Sequence, residues 1–205
     1  MYMKLSKLNI CLLLLFFLVF SVYATTGIHE IGHGMSAVYY GCSFSMSYVG
    51  FPLPIGITFC EGNDAFFDSL PIKQINWIYI FGPLLVSLFG IILLFFFHID
   101  RIRNDLVLSP LVYFLAFFSL ANGFLQSIKS SDLFGLVHNG FNPMYSYIFA
   151  IILFLIIIYS IFIFKYVKEA MFSGFSKKEK KMVNILWVAF IIFYFAVYFL
   201  LFEII

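Results

Sequence analysis

Five long apolar runs constrain this chain more than any other feature of its sequence. They lie at residues 8–40, 74–97, 106–125, 144–164 and 182–202. A helix that crosses a bilayer needs about 20 mostly apolar residues, and each run reaches that length. The chain is 63% hydrophobic and only 11% charged, whereas a soluble domain is about a quarter charged. The sequence therefore predicts an all-α polytopic membrane protein with about five transmembrane helices, forming one domain over residues 1–205.

The segment between the first two runs, residues 41–73, has a different pattern. In GCSFSMSYV, Ser43, Ser45 and Ser47 alternate with apolar residues, which is typical of a strand with one apolar face. Two prolines interrupt this pattern, and IGITF then resumes it. We expect a small membrane-associated β-hairpin over residues 43–59, although an ordinary loop fits the pattern as well.

The remaining loops carry few chemical signals. The lysine-rich stretch FSKKEKKM, residues 175–182, is expected to be a solvated loop between the fourth and fifth spans. Cys42 and Cys60 share the first loop and could pair on an oxidising side of the membrane. Free thiols are the interpretation that we favour for both. The first apolar run is interpreted as a retained span and not as a cleaved signal peptide.

The stretch GIHEIGHG, residues 27–34, places ionisable groups near the end of the first apolar run. His29 and His33 are four residues apart, so on a helix they share one face and can hold one zinc ion. Glu30 follows the first histidine and can act as general base on a zinc-bound water. This is the H-E-x-x-H pattern of zinc metalloproteases. The alternative is a polar cluster that only ties helices together, but ionisable groups inside spans are usually functional.

A catalytic zinc usually has three protein ligands and one open position, so one ligand must come from elsewhere in the chain. Most acidic residues lie in charged loops or near the C-terminus. Asp132, in LANGFLQSIKSSDLFGL, follows the third apolar run and is surrounded by moderately apolar residues. His138, six residues further on, is a weaker candidate.

With these motifs, the chain resembles the site-2-protease family of intramembrane zinc metalloproteases. The stretch HEIGHGMSAVYYGCSFSMSYVGF resembles the motif helix of that family, which a glycine and a strand-like hairpin follow. FGPLL at residues 81–85 resembles a Gly-Pro element of the next span. Asn122 and Asp132 stand at about the spacing of an Asn and an Asp in the family, although Leu133 replaces the glycine that usually follows.

The resemblance implies a site and an activity. His29, His33 and Asp132 would bind zinc, Glu30 would be the general base, and Asn122 would orient substrate or stabilise an oxyanion. The expected function is hydrolysis of peptide bonds in membrane-embedded segments, with a membrane-protein segment and the lipid bilayer as partners. Two alternatives stay open: a zinc-binding or zinc-transporting membrane protein, and an inactive protease relative. The net charge of +2 is too small to indicate nucleic-acid binding.

Two indications conflict on the orientation of the chain in the membrane. Lys and Arg favour the cytoplasmic side of short loops, and a cytoplasmic N-terminus places ten of the 12 Lys and Arg residues on that side. It also places the H-E-x-x-H motif near the outer face, whereas the resemblance implies a metal nearer the cytosol. We follow the charge rule and expect a multi-pass protein of the cell membrane.

Overall fold

The structure is a computed structural model that describes residues 6–49, 55–61 and 69–201. In chain order its elements are α1 (Lys7–Tyr39), β1 (Ser43–Val49), β2 (Ile55–Glu61), α2 (Ile72–Phe97), α3 (Asp100–Arg103), α4 (Leu108–Ile128), α5 (Ser131–His138), α6 (Pro143–Met171) and α7 (Lys177–Leu201). Within these ranges, five helical segments are long and apolar enough to cross a membrane, and α4 together with α5 forms the third. The prediction of an all-α polytopic membrane protein is confirmed.

Helix α4 is the centre of the bundle. About 67% of its most apolar stretch is buried, against 11% for α7, and it packs against α1, α2, α5 and α6. Residues as large as Phe117 and Phe118 are fully buried on it. A helix that is apolar on all sides belongs in the interior, so α4 is surrounded by protein while the other spans keep one face for lipid.

An aromatic layer fills one half of the bundle. Tyr113, Phe114 and Phe117 of α4 surround the indole of Trp187 from α7, with ring centroids 5.1 to 6.0 Å from it. Phe164 of α6 stacks on the same indole at 5.1 Å. Such pairs stabilise beyond the burial of their area, and this layer holds α7 to the bundle.

The predicted hairpin is present. β1 and β2 pair in antiparallel register, from Ser43 opposite Glu61 to Val49 opposite Ile55. The hairpin packs against α1, and the ring of Phe44 lies so close to Gly34 that a side chain at position 34 would overlap it. The apolar face of β1 therefore contacts α1 immediately after the H-E-x-x-H motif.

The prediction for the loop cysteines is wrong for Cys42. Cys42 is disulfide-bonded and Cys11 is free. Cys42 directly precedes β1, and the strand register places Phe44, two residues further along, opposite Cys60. The pairing of the strands therefore brings the backbones of the two cysteines to the same end of the hairpin. The side chain of Cys60 lies outside the described part of the chain.

The lysine-rich stretch is also not the loop that we expected, because α7 begins inside it at Lys177. Ser176 and Glu179 form a capping box: the Ser176 N–H donates to Glu179 Oε2 over 2.8 Å, and the Glu179 N–H donates to Ser176 Oγ over 3.3 Å. This reciprocal pair satisfies N–H groups that a helix start leaves free. Glu179 also bonds Lys7 of α1 at 2.6 Å, so the lysines occupy the first turns of a helix.

The two ends of the bundle differ in charge. One end contains the start of α1, the α2–α4 connection and the α6–α7 connection, and it carries most of the described Lys and Arg residues: Lys7, Arg101, Arg103, Lys165, Lys168, Lys177, Lys178, Lys180 and Lys181. At this end Asp105 accepts from the N–H groups of Leu108 and Val107, both at 2.8 Å. These bonds lower the pKa of Asp105 and begin α4. The opposite end carries the hairpin, and we call the two the lysine-rich end and the hairpin end.

Candidate metal centre

Three residues that the sequence singled out meet near the hairpin end of the bundle. His29 and His33 lie on α1 and Asp132 lies on α5. The Nε2 atoms of the two histidines are 3.0 Å apart, and each lies 3.2 Å from Asp132 Oδ2. The side chains are 4%, 9% and 14% exposed for His29, His33 and Asp132 respectively. The three ligand atoms therefore form a nearly equilateral triangle, largely removed from solvent.

The helical spacing of the motif places the two imidazoles together. His29 and His33 are one turn apart on α1, with ring centroids 4.6 Å apart and planes at 82°. His33 lies six residues before the end of α1 at Tyr39, which corresponds to about 9 Å along the helix axis. The cluster is thus inside the span, roughly two turns from the hairpin end.

A backbone carbonyl of α2 fixes the orientation of His33. Its Nδ1–H donates to the Ile78 carbonyl oxygen over 2.7 Å. This bond leaves Nε2 as the atom that faces His29 and Asp132. Pro83 lies one turn further along α2 and has no N–H, so it interrupts the hydrogen-bond ladder of the helix close to this carbonyl. A bond of this kind sets the tautomer and ring direction of metal-binding histidines in general.

Two glycines allow α1 and α2 to approach closely at the cluster. A methyl group at Gly32 would lie 2.6 Å from the Phe81 carbonyl oxygen and 2.8 Å from Gly82 Cα. A methyl group at Gly82 would overlap the imidazole of His33. Glycine is required at both positions because neighbouring atoms leave no room for a Cβ atom, and not because the backbone has a positive φ. The Gly-Pro element therefore provides room for the His33 side chain.

A break between α4 and α5 directs Asp132 towards α1. Lys129 is extended, with φ −157°, and Ser130 Oγ accepts from the Leu133 N–H over 3.0 Å as the N-cap of α5. Asp132 follows in the first turn of α5. The carbonyl that the break exposes at Lys129 accepts from Tyr198 Oη over 3.1 Å. The chain therefore turns at residues 129–130, and α5 becomes a separate short helix.

Helix α5 is also attached to α2. The Asn139 side-chain amide, at the end of α5, donates to Asn76 Oδ1 over 3.0 Å. Gly135 faces the ring of Tyr79, and a methyl group at Gly135 would lie 2.6 Å from it. Both contacts are in the first two turns of α2, close to Ile78. Helix α2 thus positions His33 and the helix that carries Asp132 together.

The donor set fits a metal ion. His33 Nδ1 carries the proton that it donates to the Ile78 carbonyl. In a neutral His33, Nε2 therefore carries a lone pair, and it lies 3.2 Å from Asp132 Oδ2. A proton on Nε2 or a metal ion between the two atoms would make this contact attractive. In a tetrahedral site with bonds of about 2.0–2.2 Å, ligand atoms lie about 3.3 Å apart, close to the 3.0 and 3.2 Å seen here. Two imidazoles and one carboxylate suit zinc, and also non-haem iron.

Glu30 lies beside the triangle without belonging to it. Its Oε1 is 3.9 Å from His29 Nε2 and its side chain is 9% exposed. This distance is too long for a hydrogen bond but lets one water molecule bridge the carboxylate and the cluster. A carboxylate at this distance could accept a proton from a water molecule held at the cluster.

The other two candidate residues, Asn122 and His138, make no hydrogen bond to the cluster in the described part of the chain. Asn122 is buried on α4, and in the described part of the chain its Oδ1 has no hydrogen-bond partner. Its proposed contact with substrate stays a prediction. His138 is exposed at the end of α5, away from the ligand triangle, so the weaker candidate for the third ligand is not part of the site.

Sequence reasoning missed the supporting contacts of the site. The Ile78 carbonyl has no sequence signature because every residue carries one. The pairing of Asn76 with Asn139 joins residues 63 positions apart, and no local pattern indicates it. Gly82 belongs to the Gly-Pro element of the family resemblance, which does not indicate that this glycine leaves room for the His33 imidazole. A glycine beside a proline inside an apolar run was the available signal.

The fold and this cluster define a multi-pass membrane protein with a mostly buried His–His–Asp group that could hold a metal ion. Comparisons with protein families, with curated proteins and with solved structures find no match to the chain.

Proposed function

We propose that this protein is an intramembrane zinc metalloprotease, similar to the site-2-protease family, that hydrolyses peptide bonds in membrane-embedded segments. The observation that carries the proposal is the position of Glu30, whose Oε1 lies 3.9 Å from His29 Nε2 beside the His29–His33–Asp132 triangle. Metal storage needs the ligands alone. Hydrolysis also requires a base, and the Glu30 carboxylate lies close enough to the ligands to accept a proton from a water molecule between them.

The residues of this chain would divide the reaction as follows. His29, His33 and Asp132 would hold the metal, which supplies Lewis acidity to a peptide carbonyl when bound. Glu30 would take a proton from the attacking water as its oxygen adds to the carbonyl carbon. The same carboxyl would return this proton to the amide nitrogen as the C–N bond breaks, leaving a carboxylic acid and an amine, which exchange a proton to become a carboxylate and an ammonium group at neutral pH. The burial of the cluster strengthens these charge interactions.

The hairpin supports a membrane segment as substrate. A helical substrate satisfies all its backbone hydrogen bonds internally, so it must unwind before a water can reach its carbonyl carbon. A two-stranded sheet has one unpaired edge on each strand, and an unwound segment can add to such an edge. β1 contacts α1 directly after His33, through Phe44 and Gly34, so a strand added there would lie next to the ligand triangle.

The aromatic layer argues against zinc transport. An ion that crossed from the hairpin end to the other end would meet the rings of Phe114 and Phe117, which are 0 to 1% exposed and offer no ligand atoms. Transport requires a polar path through the membrane. The packed rings of this layer favour an enzyme site over a transit site.

The decisive test uses Glu30→Gln. Wild type and the variant are loaded with zinc and reconstituted with a set of single-span peptides in vesicles containing ¹⁸O-water. Wild type is expected to release fragments with one ¹⁸O in the new carboxyl group. Glu30→Gln is expected to keep its zinc and cleave about 10² to 10⁴-fold more slowly. Glu169→Gln, on the exposed end of α6, is the matched control. Equal cleavage by Glu30→Gln, or no labelled fragment from wild type, would contradict the proposal.

A further inference from the structure

An apolar cavity lies directly beside Asp132. It has a volume of about 180 Å³ and lies between α2, α4, α5 and α6. Asp132 forms part of its wall. The main apolar lining residues are Ile80, Pro83, Leu84, Leu133, Leu136 and Phe149. An occupant of this cavity would therefore touch the residue that completes the ligand triangle.

The wall also contains the polar residues Gln126, Ser127, Asp132 and Ser146, and the two serine hydroxyls are bonded to the backbone. Ser127 Oγ donates to the Gly123 carbonyl over 2.7 Å, and Ser146 Oγ donates to the Ser127 carbonyl over 2.7 Å. Both hydroxyl protons are thus used by backbone carbonyls. Water needs two to four polar partners to occupy a cavity, and most of this wall is apolar, so an apolar group is the better occupant here.

The cavity reaches the surface of the bundle. Tyr145, which is exposed, lines it together with Phe141, and their rings are 6.0 Å apart. Phe141 lies between α5 and α6, and Tyr145 lies in the first turn of α6, at the hairpin end. A side chain that arrives from this end can enter without passing through the core.

We propose that this cavity binds the apolar side chain of the substrate residue next to the scissile bond. This inference rests on the proposed protease function. A cavity of about 150 Å³ lined by apolar residues can hold a benzene molecule, so 180 Å³ accepts a Leu or Phe side chain. The substrate backbone would lie at the ligand triangle while this side chain extends past Asp132. The site thus selects segments with a large apolar residue at one fixed position.

The experiment measures binding and not turnover. The protein is loaded with cobalt(II), whose visible absorption reports its ligands, and titrated with acetohydroxamate, 4-methylpentanohydroxamate and 3-phenylpropanohydroxamate. Each compound offers the same metal-binding group, and the last two add an isobutyl or a benzyl group. In wild type we expect the two larger compounds to bind about 10- to 100-fold more tightly than acetohydroxamate.

Two variants fill the cavity from different helices, Leu84→Trp from α2 and Leu136→Trp from α5. In both, acetohydroxamate should bind as in wild type, which shows that the metal centre is intact, and the advantage of the larger compounds should disappear. Phe134→Ala, on α5 but 81% exposed, should still bind the two larger compounds more tightly than acetohydroxamate. If the larger compounds still bind more tightly than acetohydroxamate in both filled variants, their higher affinity comes from partition into detergent, and the inference is overturned. If wild type shows no cobalt absorption, the proposed function fails instead.

Discussion

The Ile78 carbonyl oxygen accepts a hydrogen bond from His33 Nδ1 over 2.7 Å, and this bond joins the second span to the H-E-x-x-H motif. It decides which nitrogen of His33 faces the cluster. Without it, either ring nitrogen could face His29 and Asp132, and the ligand triangle would have no fixed geometry. The geometry of the candidate metal site therefore depends on the packed pair of α1 and α2 and not on α1 alone.

Metal content is the first prediction. Purified protein should contain about one zinc ion per chain, as expected for one site with three protein ligands. Substitution of His29, His33 or Asp132 by Ala should empty the site, as measured by mass spectrometry of the metal. His138→Ala, four residues after the exposed Phe134 on the same short helix, should leave it filled. Unchanged zinc in both histidine variants would refute the assignment.

The second prediction concerns Gly82. Gly82→Ala places a methyl group where the His33 imidazole lies, so His33 must move and its bond to Ile78 must lengthen. We expect at least a tenfold loss of zinc affinity, as for other losses of a contact that orients a ligand. Gly174→Ala is the matched control, because nothing lies within 4 Å of a methyl group there. Equal zinc affinity in the two variants would contradict the packing role of Gly82.

The third prediction is the orientation in the membrane. Ten of the 12 Lys and Arg residues lie at or near the lysine-rich end, counting Lys4 by its place in the sequence, and the charge rule puts that end in the cytoplasm. The disulfide at Cys42 agrees, because disulfides persist on oxidising sides of membranes.

The measurement is cysteine labelling in intact cells, in a background with Cys11→Ser. Asn104→Cys and Ser173→Cys should be protected from a membrane-impermeant reagent, and Ser131→Cys should react with it. All three positions are exposed. The reverse pattern would place the metal site near the cytosol, as the family resemblance implies, and would show that the charge rule fails for this chain.

The fourth prediction concerns the edge of β1. Single proline substitutions from Ser43 to Val49 remove one backbone N–H each. If an unwound substrate pairs with this edge, cleavage should fall at alternate positions while zinc stays bound, because only every second N–H points away from β2. Alanine at the same positions should leave cleavage unchanged. Full activity across the proline series would mean that substrate binds elsewhere, and loss of zinc would mean that the hairpin supports the metal site instead.

Local sequence patterns accounted for the elements whose causes are local. The five apolar runs, the period-two pattern from Ser43 and the four-residue spacing of His29 and His33 each depend on residues close together in the chain. The start of α7 was missed although its signal was also local. Ser176 and Glu179 form an S-x-x-E capping box, and the lysines around it suggested a loop.

The sequence by itself determined that the chain crosses a membrane several times and that two histidines and a glutamate share one turn of the first span. Only the tertiary structure decided that Asp132, 99 residues after His33, completes the triangle, that Gly82 leaves room for the imidazole, and that Ile78 orients it. The physical reason is that periodicity reports which face of a helix is apolar, whereas the contact between two faces depends on crossing geometry and on backbone groups that every residue shares.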